Sequence, residues 1–309
     1  MSRVLLTGAS GFVGKHAVRH LIARGYDVHC LTRRGGKIPG AHCHQVDLLT
    51  EADALAEMVA VIKPQSLLHL AWTVESGAFW TSRANLDWLA ASVPLYRAFV
   101  DAGGRRMVIA GTCAEYAWSA AHASQPLHEL SSALLPATLY GQAKKSQFDI
   151  LSAAAALDGV ALASGRIFFL YGPDERSGRV VSDVVVNLLH GRLVETTEGT
   201  QSRDFMHVDD VAGAFAALLA SDVTGAVNIA TGIDQPLSQL LAEIGAQIGR
   251  PDLLQFGARP MAANDPPRLA ASVARLRDEV GFVPKFDLQT GLADTIGWWR
   301  RELKLDQKR

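Results

Sequence analysis

The sequence predicts an α/β fold: a doubly wound parallel sheet with a smaller, partly interleaved C-terminal part. Three observations predict it. Over the first 110 residues, short apolar runs alternate with stretches of helical spacing, as βαβ units require. The apolar runs are of the kind that strands buried in a parallel sheet carry. After Pro173 the clean alternation stops.

The elements follow in order. "RVLLT" (3–7) is the first strand, and "GFVGKHAVRHLIARG" has helical spacing and ends at Gly25. "DVHCLT" (27–32) is the second strand, "EADALAEMVAVIK" a helix stopped by Pro64, and "SLLHLAW" (66–72) the third strand. "SRANLDWLAASVPLYRAFVDAGG" is helical, with Pro94 placed to kink it, and "RMVIAGT" (106–112) is the fourth strand. "ATLYGQAKKSQFDILSAAAAL" is helical and "VALASGRIFFLYGP" brings another strand. Beyond it, "DERSG" is loop, "GAVNIAT" (225–231) a strand and "PLSQLLAEIGAQIGR" a helix. "RPMAANDPPR" is loop, "TGLADTIGWWRREL" a closing helix anchored by two tryptophans, and "KLDQKR" a frayed end. The expected division is a larger unit over 1–170, rejoined by 204–231, and a second part made of 171–203 and 232–309.

The 309 residues are 49% hydrophobic, enough for a sizeable core. Thirty basic and 31 acidic residues give a formal charge of −1 with no basic stripe, which argues against a nucleic-acid partner. No apolar stretch reaches about 20 residues, so no membrane span is expected. Cys30, Cys43 and Cys113 are odd in number and too sparse for a disulfide framework. The chain enters its first strand without a charged leader. Together these features predict a cytoplasmic protein.

"TGASGFVG" places Gly8, Gly11 and Gly14 between a strand and a helix, with Ser10, Phe12 and Val13 among them. Glycines let the backbone turn tightly against a pyrophosphate, and the helix N-terminus offers free N–H groups and a positive dipole end. The larger unit is therefore expected to be a Rossmann-type dinucleotide-binding domain. An acidic residue at the end of the second strand would hydrogen-bond a ribose 2′-hydroxyl; here that end carries Arg33 and Arg34. Arginine suits a 2′-phosphate, so NADP(H) is favoured and NAD(H) is the alternative. In "VDLLT", Asp47, followed by Leu48, is placed to meet the adenine amino group.

"YGQAK" sets Tyr140 and Lys144 at i and i+4, on one helix face. A nearby ammonium favours tyrosinate and brings the phenol closer to a usable acid or base. Thr112 lies 28 positions upstream, at a strand end. Six segments in this order resemble the extended short-chain dehydrogenase/reductase family, which contains nucleotide-sugar epimerases, dehydratases and ketoreductases. "TGASGFVG" resembles its TGxxGxxG and "HLAW" its HLAA. "YGQAK" matches its YxxxK, and Asn85 sits where a structural asparagine is usual. "RIFFLYGP" resembles its RxxNxYGP, "SRDFMHVDDVAGAF" its RDFxxVxDxA, and "GLADTIGWW" its C-terminal helix.

The resemblance implies an oxidoreductase or epimerase of nucleotide-diphosphate sugars. Thr112 would hydrogen-bond the reacting sugar oxygen, Tyr140 would move its proton, and Lys144 would hold the nicotinamide ribose and tune Tyr140. Leu70 and Ala71 of "HLAW" would lie along the coenzyme, Thr73, Trp72 and Phe79 near the sugar. Arg203 and Arg268 would meet the diphosphate through bidentate contacts. Phe169 replaces the family's asparagine and removes a polar contact there. Ala114 replaces the acid that dehydration requires. Cys113, at the substrate side, is a small buried filler with nothing evident to activate it. Glu115 before Tyr116 resembles the GS-x-x-EY of 4-keto-6-deoxyhexose reductases, or else faces solvent.

These readings favour an NADPH-dependent 4-keto-6-deoxyhexose reductase. A 4-epimerase with retained NAD is the alternative, and a catalytically silent NADP-binding regulator the last. A homodimer through a helix pair is usual in the family. His69 and His207 are expected to be structural or pocket-lining. "AHCHQ" (41–45) fails as a metal site: in an extended segment Cys43 points away from His42 and His44, and a further ligand is missing. No metal is expected.

Overall fold

The computed structural model describes residues 1–118, 125–262 and 265–304. Its strands in chain order are β1 (Arg3–Thr7), β2 (Asp27–Thr32), β3 (His42–Gln45), β4 (Ser66–His69), β5 (Arg106–Thr112), β6 (Ala161–Ile167), β7 (Phe169–Tyr171), β8 (Val194–Glu195), β9 (Ser202–His207), β10 (Gly225–Ile229), β11 (Asp234–Pro236), β12 (Leu254–Gln255) and β13 (Arg268–Leu269). The helices are α1 (Phe12–Ala23), α2 (Ala52–Ile62), α3 (Ala84–Asp101), α4 (Leu139–Asp158), α5 (Val180–Leu189), α6 (Val208–Ala220), α7 (Leu237–Ile248) and α8 (Leu288–Glu302).

Seven strands form one parallel sheet in the order β10-β6-β5-β4-β1-β2-β3. The chain starts in the middle, winds to the β3 edge, then crosses back to fill the other half. The reversal falls between β1 and β4, and the crevice at their C-terminal ends is where such sheets bind ligands. Side-chain alternation along the strands divides the core. Val4 and Leu6 of β1 point to a layer built on Ala17, Val18 and Leu21 of α1 and Val211, Phe215 and Leu218 of α6. Leu5 points the other way, to Leu55 and Val59 of α2, Leu95 and Phe99 of α3 and Leu151 of α4. Both faces are covered, which is why the strands read as unbroken apolar runs.

A smaller sheet is centred on β9, which pairs β11 antiparallel and both β13 and β7 parallel. Helices α5, α7 and α8 pack beside it through Val185, Leu188, Leu240, Ile244, Leu292 and Ile296. β10 lies next to β6 in the large sheet and α6 covers that sheet's face. Residues 204–207 complete β9 of the small sheet.

β1, β2, β5, β10, α1, α2, α4, α7 and α8 fall within a residue or two of the sequence expectation, whereas α5, α6 and the short strands β8, β9, β11, β12 and β13 were not named in it. β3 was not expected as a strand, because "HCHQ" shows neither an apolar run nor a polar and apolar alternation. α3 runs as one helix through Pro94. Residues 263 and 264 of the expected loop, and 305–309 of the expected frayed end, lie outside the described residues. Among the described residues no helix is long and apolar enough to cross a membrane.

Candidate active site

The glycine turn closes tightly onto β1. A Cβ on Gly14 would stand 2.0 Å from the Gly8 carbonyl oxygen, so only glycine lets α1 pack against the strand end. Gly11 is the N-cap of α1 and supplies no side-chain cap, and the first turn holds no acidic residue. The N–H groups there are available to an anion. This cradle, which a Cβ would fill, fits the pyrophosphate of a dinucleotide. Ser10 is exposed, and Phe12 and Val13 are half-buried beside it. Leu70 and Ala71 continue β4 alongside, Ala71 N–H donating to the Thr7 hydroxyl at 3.2 Å. Arg33 and Arg34 follow β2 and are exposed. Asp47 receives the Leu49 N–H on Oδ1, while Leu48 is buried in the core between the sheet and α2, so only its backbone is left to face a ligand.

Tyr140 and Lys144 lie on the buried face of α4, and Thr112 ends β5. What brings them together is Gly141: a Cβ there would meet the Ala114 carbonyl oxygen at 2.3 Å. The first turn of α4 thus sits directly against the residues that follow Thr112, which brings the Thr112 hydroxyl toward the Tyr140 phenol. Tyr140 is 9% exposed. Burial pushes its phenol above the usual tyrosine range, and the Thr112 side chain pulls back only in part. The group is therefore a protonated phenol at neutral pH.

Lys144 is 4% exposed, donates to the Ala110 carbonyl at 2.8 Å, and stands 3.7 Å from the centre of the Trp72 ring. Burial lowers it to about 7, with Glu115 drawing it back up. The main influences on the phenol are burial, Thr112, Cys113, Glu115 and Arg179, and the lysine nitrogen is turned to the β5 backbone. His69 is neutral, lowered to about 3 by burial and the Lys144 charge, and bonds the Thr7 hydroxyl at 2.7 Å. His207 is buried against Phe286 and Tyr171 and accepts from Asp209 N–H, capping α6. Both histidines are structural in these contacts.

Glu115 corrects a reading of the sequence: it does not face solvent. It is fully buried, its Oε2 accepting from Arg166 Nε at 2.7 Å and its Oε1 from the Thr112 N–H at 2.9 Å. Arg166 also donates to the Tyr116 hydroxyl, which in turn donates to Asn228 Oδ1. The pair "EY" thus locks the end of β5 to β6 and β10, and does not reach a substrate through Glu115. Cys113 packs with Tyr116, Leu127, Phe168 and Leu269, and burial raises its thiol to about 12. That is an inert thiol.

Sequence reasoning named Phe79 near the sugar but missed Trp80 and Trp118, which form an aromatic wall with it. Phe79 meets the Tyr140 ring edge-on at 4.9 Å, Trp80 does so at 5.8 Å, and Trp118 meets Trp80 at 5.7 Å. The tryptophan content of "FWTSRAN" and "YAW" was the available signal. Thr73 accepts from Trp88 Nε1 at 2.9 Å, next to Trp72. On the other side, Arg203 of β9 lies over the Phe169 ring at 5.5 Å and pairs with Asp265. Arg268 makes a bidentate pair with Asp234 of β11. Both expected diphosphate arginines are thus engaged by carboxylates of the chain itself.

A parallel doubly wound sheet with a dinucleotide turn, and a threonine, tyrosine and lysine gathered at its C-terminal edge, defines an enzyme of the extended short-chain dehydrogenase/reductase type. The chain belongs to the NAD dependent epimerase/dehydratase family, whose family model matches residues 4–230. It is 27% identical to the GDP-6-deoxy-D-mannose reductase of Pseudomonas aeruginosa, covering 98% of each chain. It is 26% identical to a probable UDP-glucuronate 4-epimerase of Rhizobium meliloti, covering 96% of each. Among solved structures, MoeE5 in complex with UDP-glucose and NAD superposes with a TM-score of 0.82 at 29% identity, over 98% of this chain and all of that one.

Proposed function

We propose that this chain reduces the 4-keto group of a nucleotide-diphosphate 4-keto-6-deoxyhexose with NADPH. The observation that carries the proposal is the packing of Gly141 on the Ala114 carbonyl, which brings the buried Tyr140 of α4 together with the buried Thr112 at the end of β5 beside the glycine turn. Seated along the glycine turn, a reduced nicotinamide would supply hydride. Tyr140 gives its proton to the carbonyl oxygen as negative charge develops there, and Thr112 holds that oxygen by a hydrogen bond. The phenol is protonated at neutral pH and so has a proton to give. An enzyme that began by oxidising an alcohol would first need the phenolate. Lys144 would hold the nicotinamide ribose.

The coenzyme choice is supported by Arg33 and Arg34, exposed at the end of β2 where an NAD enzyme would carry an acid. The sugar class is supported by Ala114, which cannot perform dehydration, and by the apolar wall of Phe79 and Trp80, which suits a methyl group. The reductase from Pseudomonas aeruginosa acts on a sugar of this class by its name. A second reading, a 4-epimerase with retained NAD, is supported by the Rhizobium relative and by the NAD bound in MoeE5.

Coenzyme kinetics separate the two. Replacing both arginines (R33A/R34A) should raise KM for NADPH by about tenfold, or ~1.4 kcal/mol of phosphate contact, and leave that for NADH within about twofold. An unchanged KM for NADPH would remove the basis for the coenzyme assignment. Tightly held NAD with sugar inversion and no net coenzyme use would replace the reductase by the epimerase.

A further inference from the structure

A second cluster of chemistry-bearing side chains lies away from the glycine turn, toward the N-terminal ends of the strands at the β3 edge. Asp27 and His29 alternate along β2 and share one face, and His42 and His44 share the same face of β3. The parallel register sets His29 opposite His42. Val28 and Cys30 point the other way, into the core under α1 and α6, and Cys43 packs against that core too. His42 Nε2 lies 3.2 Å from Asp27 Oδ1, and His29 Nε2 lies 3.3 Å from Asp27 Oδ2. One ligand atom from each of the three residues falls within 4.8 Å of the others. The His29 ring is stacked between those of His42 and His44, at 4.8 and 5.2 Å.

We propose that Asp27, His29 and His42 form a binding site for one divalent transition-metal ion of the zinc class, which clips the edge strand β3 to β2. Two imidazole nitrogens and a carboxylate oxygen are a ligand set that zinc accepts, with water completing four-coordination. Bonds of about 2.1 Å in a tetrahedron place ligand atoms about 3.4 Å apart, close to the two separations seen here. The outer partner is also present. His29 Nδ1 lies 2.9 Å from His44 Nε2, so a proton on Nδ1 can be donated to His44 while Nε2 keeps its lone pair for the ion. Access is open from solvent, the side chains of His29, Asp27 and His42 being 13%, 33% and 66% exposed.

The edge strand supplies the reason for such a clip. β3 has four residues, and only Cys43 packs on the apolar core. The pattern "HCH" fails as a metal motif on its own strand, because Cys43 faces away. The ligands that complete the set sit 13 and 15 residues earlier, at His29 and Asp27, and only the strand register brings them alongside. The site is independent of the reaction proposed above.

The test uses the full chain without a histidine tag, stripped by chelator and titrated with Zn²⁺ by calorimetry. Saturable binding of one ion per chain is expected, with a higher unfolding midpoint in the presence of zinc because the ion binds the folded state. The variant His42→Ala removes an exposed ligand, so it should melt like the parent without metal yet bind zinc at least about tenfold more weakly. Asp27→Asn should weaken binding likewise, and bound Co²⁺ should lose its tetrahedral visible bands in both variants. Failure to bind one ion per chain overturns the proposal. Parent-like zinc affinity in both variants also overturns it, since the ion would then sit elsewhere, as on His16, His20 and Asp209.

Discussion

The variant Tyr140→Phe is expected to lose about 10³-fold in kcat for keto-sugar reduction, the usual contribution of a positioned general acid, while NADPH binds as tightly as before. The substitution removes one oxygen and leaves the ring edge-on to Phe79 and Trp80, so the pocket walls stay in place. Thr112→Val should cost about 10²-fold through loss of a donor to the developing oxyanion. In the proposed reaction both hydroxyls serve one oxygen, so the double variant should be little worse than Tyr140→Phe alone. Steady-state kinetics combined with coenzyme fluorescence titration reads all three. A Tyr140→Phe enzyme within about tenfold of the parent would take the proton-donor role away from this residue.

The second large effect concerns folding. Arg166→Met should destabilise the protein by about 3–5 kcal/mol, because it leaves a fully buried carboxylate without its counter-charge. Arg166 is itself buried, and although burial alone would lower its pKa, Glu115 and the Tyr116 hydroxyl more than offset this and hold it charged. Its loss also frees the Tyr116 hydroxyl, whose remaining partner is Asn228. Denaturant unfolding checks the magnitude. Adding Glu115→Met to Arg166→Met should recover part of the loss, since removing both ends of a buried pair is cheaper than removing one. A single-variant cost below about 1 kcal/mol would mean that the pair carries little of the packing between β5 and β6.

How far the sequence disclosed these features depended on how local each one is. The glycine turn and the tyrosine–lysine pair are set within a few residues, and backbone geometry alone makes their meaning readable. The parallel sheet was readable because both of its faces are covered and its strands are uniformly apolar. β3 was not, because its pairing rests on backbone hydrogen bonds to β2 and not on any apolar pattern of its own. The burial of Glu115, which rules out the solvent-facing alternative, was hidden for a related reason. Its partner Arg166 is 51 residues away, and a short match to "EY" carries no information about burial. The carboxylate partners of Arg203 and Arg268 were equally hidden: Asp234 is brought beside Arg268 by the pairing of β11 and β13 with β9, and Asp265 lies 62 residues from Arg203. The role given to Lys144 came from the resemblance, while helical spacing placed it on the right face of α4 but could not say which way its nitrogen turns.

The most direct test of the central claim is a single turnover with NADPH carrying deuterium at the transferable C4 position, and a nucleotide-linked 4-keto-6-deoxyhexose in excess. The account predicts one deuterium at sugar C4 of the product, stoichiometric NADP⁺, and loss of the transfer in Tyr140→Phe. Product with no deuterium at that carbon, or inversion of a hydroxyl sugar with the label still on the coenzyme, would contradict it.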